Sequence, residues 1–282
     1  MKRLLVGLDF SKGALHAFDY ALEIAKVTQA QIRLVWVDDA KSNELAFSKN
    51  VSQGRNEAKR NFDELFEQYK DHPVKNRIDY RLLKGKVGPE IARHAKEYGA
   101  DLVIAGSHGI TGYEEYWIGS NANRIVIYNS SPTITVRYDY EFKKNIIEKI
   151  LIPIDNTSET LQKIPFTAKM AAIFNSEVHL LGVYSTVLQS MHKKVNKMME
   201  EADNYLNDKN INHKKGYMET DNITSDMLKY IENNNIDLVS IMTEQETTAN
   251  NMLLGKFAYQ IVNNSSVPVL SIHATENFTL SL

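Results

Sequence analysis

The chain has 282 residues, which favours two domains over one oversized core, because domains commonly run to about 100–200 residues. Lysine and arginine number 33 against 35 aspartate and glutamate, a formal charge of −2, so no sequence-wide field draws the protein toward nucleic acid or a membrane surface. Apolar residues at 43% and charged residues at 24% fit a globular chain and exclude a disordered or fibrous one, while the lack of any cysteine rules out disulfides, thiolate metal sites and cysteine nucleophiles.

The opening apolar run reaches Asp9 too soon for a signal peptide. No stretch approaches the ~18–20 apolar residues of a membrane span. A soluble cytoplasmic protein with neither nucleic-acid nor membrane partners is expected. Leu4-Leu5-Val6-Gly7-Leu8 is a short unbroken apolar run, the pattern of a strand covered on both faces. Ala14, Phe18, Ala21, Leu22 and Ala25 follow at helical spacing, with Asp9 or Ser11 available to cap the helix. Residues 32–37 read as a second strand and about 43–70 as a long helix. Ile78, Tyr80 and Leu82 alternate with polar residues as a strand nearer a sheet edge does. Pro89 is expected to open a helix that stops by Gly99. Residues 101–106 then give a fourth strand, about 119–128 a helix and 133–136 a fifth strand. Strands alternating with helices predict a parallel α/β sheet.

The order then begins again. Ile150 to Asp155 repeats Leu4 to Asp9 at an offset of 146, and His179 to Val183 repeats Arg33 to Val37 at the same offset. Asp237-Leu238-Val239, Gly255 and Pro268 repeat Asp101-Leu102-Val103, Gly119 and Pro132 at an offset of 136. The second copy has therefore lost ten residues between Val183 and Asp237, expected in a shorter helix around residues 190–208 and its loops. Lys143-Lys144-Asn145 marks the junction, giving domains 1–142 and 146–282.

Of the 13 glycines, ten lie in residues 1–141 and three in 142–282, and Gly106, Gly109, Gly112 and Gly119 crowd into one short stretch. Gly106-Ser107-His108-Gly109 follows the fourth strand, and Gly119-Ser120 opens a helix. In an open parallel sheet this loop lies at the carboxyl ends of the strands, where ligands bind. Glycines there let backbone N–H groups approach a phosphate, and the helix start offers unpaired N–H groups with the Ser120 hydroxyl beside them. The plainer reading is a glycine-rich surface loop with Ser120 as a cap. Asp9 lies on the same edge and either accepts hydrogen bonds from a ribose or base or merely caps the next helix. Val37, closing the second strand, offers an apolar surface there or is ordinary core. His108 falls within the loop, and the remaining histidines show no metal-binding spacing, so no metal centre is expected.

These residues resemble the universal stress proteins in their tandem two-domain form. The likeness is carried by Val6-Gly7-Leu8-Asp9-Phe10-Ser11, by Gly85 with Glu90-Ile91-Ala92, by Ala100 to Ile104, by the Gly106–Gly112 loop with Gly119-Ser120, and by Asn129 to Ile134. The resemblance implies two tandem open-sheet domains, each of five parallel strands in the order 3-2-1-4-5. It also implies pairing of the domains through their fifth strands into an intramolecular pseudo-dimer. It further implies ATP held by Asp9, Val37, Gly106, Gly109, Gly119 and Ser120, and Ser11, His108 and Asn121 beside them join the expected nucleotide-binding set. Magnesium or manganese with the triphosphate needs no dedicated protein ligands. Glu114, Glu115 and Trp117 depart from a bare phosphate loop. The two carboxylates either repel a triphosphate or face solvent, and Trp117 is a lid contact or a packing anchor.

In the second copy Gly106 becomes Met242, Gly109 becomes Gln245, Gly112 becomes Thr248 and Ser120 becomes Lys256, while Asp155 and Gly255 remain. Side chains fill the phosphate space, and this copy is not expected to bind ATP in the same way. The expected function is a nucleotide-binding stress-response regulator without enzymatic turnover, acting on a protein partner the sequence does not name, as a monomer or homodimer. The alternatives are a nucleotide-free scaffold or small-ligand-binding stress protein, or a slow ATP hydrolase. Faster ATP chemistry lacks its loops, because Leu8 to Gly13 supplies neither S-G-G-x-D-S nor H-x-G-H.

Overall fold

Leu4, Leu5 and Val6 have no solvent exposure, as a strand sandwiched between helices requires. They form the middle of β1 (Arg3–Gly7) in a computed structural model that describes residues 1–39, 51–107, 121–143, 145–243, 245–248, 251–276 and 278–280. The chain divides into two units, Met1–Asp139 and Tyr140–Leu282.

In the first unit β1 is followed by α1 (Lys12–Thr28), β2 (Gln31–Asp38), α2 (Val51–Gln68), β3 (Ile78–Lys84), α3 (Val87–Tyr98), β4 (Leu102–Ser107), α4 (Asn121–Tyr128) and β5 (Thr133–Arg137). The strands pair in parallel in the order β3-β2-β1-β4-β5, so β3 is an edge strand, as its alternating pattern predicted. On one face Leu5, Val35, Val103 and Ala105 pack with Ile91 and Ala95 of α3 and Ala122 and Ile125 of α4. Strand alternation turns Leu4 and Val6 to the opposite face, where α1 buries Ala17, Phe18 and Ala21 completely. Each such large side chain contributes about 1.5–3 kcal/mol relative to exposure.

The second unit repeats the plan with β6 (Lys149–Ile154), α5 (Ile164–Phe174), β7 (Glu177–Tyr184), α6 (Gln189–Asp208), β8 (His213–Glu219), α7 (Ile223–Asn233), β9 (Leu238–Thr243), α8 (Lys256–Asn264) and β12 (Val269–His273). Its parallel order is β8-β7-β6-β9-β12. Matching positions do matching work. The Asp101 carboxylate accepts from the backbone N–H of Lys2 and Arg3 at 2.6 and 3.0 Å. Asp237 accepts from those of Glu148 and Lys149 at 3.0 and 2.8 Å, so each aspartate fastens the start of its unit's first strand. The left-handed helix ends repeat too: Gln29 (φ 58°) with Asn175 (φ 53°), and Gly99 (φ 64°) with Asn235 (φ 51°).

Some expectations are corrected. Helix α3 starts at Val87 with Lys86 as its cap, so Pro89 sits inside the first turn rather than opening it. Helix α6 has 20 residues and the described part of its counterpart α2 has 18. After the helix the second copy is five residues shorter, since Ile78 follows Gln68 by 10 positions but His213 follows Asp208 by 5. Where the second copy replaces the glycine loop, the chain forms an antiparallel hairpin of β10 (Gln245–Thr248) and β11 (Asn251–Leu254) that periodicity did not suggest. The stretch at 43–50 of the expected long helix, and residues 119–120 of the expected fourth helix, lie outside the described residues.

Candidate functional site

The strand order reverses at β1, whose neighbours are β2 and β4, and that switch point opens a crevice at the strands' carboxyl ends. A cavity of about 540 Å³ elsewhere is a shallow surface feature along β3 lined by Arg55, Asp79 and Arg81. The crevice itself encloses about 460 Å³ and is lined by Asp9, Ser11, Val37, Gly106 and Asn121 among others. That volume falls in the range of about 300–1,000 Å³ typical of small-molecule sites.

Each lining residue has a local cause. The chain leaves β1 through Phe10, held at a left-handed φ of 62°, a costly conformation for a non-glycine residue. Its ring packs edge-on against Phe62 of α2 at 4.8 Å. The bend lets Asp9 accept from the Ser11 N–H at 3.0 Å, while the Ser11 hydroxyl accepts from Ala14 N–H at 3.2 Å and caps α1. Of the two expected cap candidates, Ser11 is therefore the cap. Asn121 Nδ2 donates to the other Asp9 oxygen at 3.3 Å, tying the start of α4 to the end of β1. Both carboxylate oxygens keep lone pairs for further donors.

Gly106 has a packing reason to be glycine. A Cβ there would stand 2.3 Å from the backbone C and O of Gly13 and 2.6 Å from the Ala14 nitrogen, so the first turn of α1 rests directly on the end of β4. Val37 is half-buried, lines the crevice and packs on the cluster around Leu5 and Val35. Asp9, Val37, Gly106, Ser11 and Asn121 are thus brought together. His108, Gly109, Gly119 and Ser120 lie outside the described residues, as do Gly112, Glu114, Glu115 and Trp117.

The sequence reading missed Trp36, Asp38, Asp39 and Gly54, which also line the crevice. An isolated glycine inside a helical pattern is the signal that draws attention to Gly54, although no described neighbour requires a glycine there. A Cβ there meets nothing within 4 Å. The crevice is polarised: Asp38 and Asp39 end β2 on one side, and the start of α4, the positive end of a helix dipole, lies on the other.

The second unit has a smaller cavity of about 230 Å³ at the matching edge, lined by Asp155, Thr157, Lys163, Met242 and Phe257 among others. Where the first unit has Ala14, Ala17, Ala21 and Ile104, this one has Thr160, Lys163, Thr167 and Ser240. The Lys163 ammonium, in a residue only 3% exposed, donates to the Thr160 carbonyl at 2.7 Å and to its hydroxyl at 3.0 Å. Asp155 accepts from the Thr157 N–H at 3.0 Å and from its hydroxyl at 2.6 Å. Thr167 and Ser240 share a hydrogen bond at 2.7 Å. Burial pushes the Asp155 carboxyl up, but the Lys163 charge and hydrogen bonds from Thr157 and Thr160 outweigh it and hold the group below the usual range. Burial lowers the Lys163 amine to about 8 against the opposing pull of Asp155.

Fold and crevice define a class: a parallel open-sheet α/β protein, duplicated within one chain, with a cleft at the switch point of its first unit. The universal stress protein family matches residues 1–137 and again 147–273, and the chain belongs to that family, whose role lies in the stress response. Universal stress protein YxiE of Bacillus subtilis is 27% identical over 149 residues, which cover 48% of this chain and 98% of the relative. A universal stress protein of Methanocaldococcus jannaschii is 27% identical over 144 residues, 48% of this chain and 82% of its own. Over the whole length, the crystal structure of a universal stress protein from Archaeoglobus fulgidus superposes with a TM-score of 0.74 at 16% identity, covering 96% of this chain and 98% of that one, a likeness of fold. Among the described residues no helix is long and apolar enough to cross a membrane.

Proposed function

We propose that the chain is a nucleotide-responsive regulator that binds ATP in its first unit and turns it over slowly or not at all. The observation that supports this most is the joining of Asp9 and Asn121 across the switch-point crevice. The Asp9 carboxylate, with lone pairs to spare, is the acceptor this reading assigns to the ribose hydroxyls. The polarity gives the ligand a direction. With Asp9 taking the ribose, the base lies toward β2 and the phosphates are repelled from Asp38 and Asp39 toward the Gly106 side, and His108, Gly109, Gly119 and Ser120 are the residues expected to hold them. Magnesium or manganese would come with the triphosphate, bound by phosphate oxygens and water.

The test is mass spectrometry of gently purified protein, followed by calorimetric titration of ATP into wild type and Gly54→Phe. A Cβ at Gly54 meets nothing within 4 Å among the described residues, and the variant, checked for folding by circular dichroism, should lose ATP affinity at least tenfold. Wild type that neither carries nor binds adenine nucleotide ends the proposal. Turnover much faster than one per minute replaces the regulator with an enzyme.

A further inference from the structure

The second unit's cavity joins an apolar wall of Val183, Ile223, Met227, Ile241 and Phe257 to a buried amine. The charged groups lining it are Asp155, Glu159 and Lys163, two carboxylates against one amine, so it does not suit a phosphate or another anion. We propose that Lys163 captures small apolar aldehydes or ketones in this cavity as imines. The geometry supports this through the amine's own hydrogen bonds. A neutral amine has two N–H donors and one lone pair, and the Thr160 carbonyl and hydroxyl take two donors at 2.7 and 3.0 Å, leaving the lone pair for an electrophile. Burial that brings the amine to about 8 raises its neutral fraction at neutral pH by about two orders of magnitude over an ordinary lysine.

The step balances without an added reagent. The nitrogen lone pair forms a bond to the carbonyl carbon, and a proton passes from nitrogen to oxygen to give a carbinolamine. The original carbonyl oxygen then leaves as water with both amine hydrogens, and a C=N bond remains. Protonated, the imine keeps one N–H for the Thr160 carbonyl, and the Asp155 carboxylate is its counter-charge. The 230 Å³ available holds roughly eight water-sized groups, about the size of benzaldehyde.

Full-length protein is treated with benzaldehyde and cyanoborohydride, digested, and the benzyl adducts are quantified by mass spectrometry. Lys163 should be labelled at least tenfold faster than Lys197, whose side chain is 79% exposed, with a pH midpoint near 8. Lys163→Arg should abolish that adduct. A pyrene aldehyde, too large for the cavity, should label Lys197 and spare Lys163 in the wild-type protein, a control independent of any variant's folding. Labelling of Lys163 no faster than Lys197, or equal labelling by the bulky aldehyde, overturns the proposal. ATP binding in the first unit plays no part in the readout, so the two proposals fail separately.

Discussion

At Ala14, Ala17 and Ala21 the first unit carries small side chains, whereas at the same positions the second unit carries Thr160, Lys163 and Thr167, which hydrogen-bond within their own turn and to Ser240. Gly13 and Gly106 touch backbone to backbone in the first unit; their counterparts are Glu159 and Met242. The helices record the difference. Helix α1 begins at Lys12 and runs 17 residues. Its counterpart α5 ends at the equivalent residue, Phe174, but has only 11, preceded by a 3-10 turn at Thr160–Lys163. A methionine at the strand end leaves no room for a regular first turn pressed against it. The comparison teaches that the duplicated fold is preserved by its core strands, while the ligand edge is decided by whether one helix start can touch one strand end.

The largest test of that explanation is Gly106→Ala. The added carbon would overlap main-chain atoms of Gly13 at 2.3 Å, which no rotamer change relieves, so the substitution should cost about 3 kcal/mol or more in urea unfolding. If the chain adapts as the second unit has, amide exchange should show α1 losing protection in its first turn only. A cost below about 1 kcal/mol would show that the glycine contact does not set where the helix begins.

A second test uses pH. Lys163 has a folded value of about 8 against an ordinary 10.5. Below 8 it is charged in both states, and the cost of burying that charge is fully present. Between 8 and 10.5 the unfolded chain holds a proton that the folded chain has released, so stability rises with pH by up to about 3 kcal/mol. The difference between wild type and Lys163→Met isolates this from other titrating groups. The first unit has Ala17 at that position and no such rise. A flat difference curve would mean that Lys163 is solvated, and the contrast between an open crevice and a self-satisfied one would go with it.

Much of this architecture could be read from residues alone. Short apolar runs such as Leu4 to Val6 imply burial on both faces, and two constant offsets expose the duplication whatever the loops do. The convergence of Asp9, Val37 and Gly106 followed from parallel topology, which places every strand's carboxyl end on one edge. What stayed hidden depends on contacts between distant segments. Nothing in the spacing of Gly13 and Gly106 shows that they meet, so Gly106 reads as a phosphate contact or as part of a plain surface loop, not as a packing contact. The buried pairing of Lys163 with Thr160 was invisible because a lysine beside a helix start ordinarily reads as solvated. The hairpin after β9 escaped because Gln245 to Leu254 has no regular alternation to announce it.

The smallest contrast lies at Ser11 and Thr157, equivalent hydroxyls used in opposite directions. Ser11 accepts from the Ala14 N–H as a helix cap, so Ser11→Ala should cost about 1 kcal/mol, and no proton enters that hydrogen bond. Thr157 donates to the Asp155 carboxylate at 2.6 Å and helps hold its pKa below 3.8. A carboxyl depressed in the folded state stabilises above its unfolded value and loses that contribution as pH falls through the folded one. Thr157→Val keeps the side-chain shape and removes the donor, so its cost, also about 1 kcal/mol, should be complete above about pH 4 and fade below it as Asp155 is protonated in both proteins. Paired unfolding curves at pH 7 and near pH 3 should therefore leave the Ser11→Ala penalty in place and shrink the Thr157→Val penalty. If both penalties respond to acid alike, the two hydroxyls do the same work, and the second unit's hydrogen-bonded cluster is a variant of the cap rather than a replacement for a ligand.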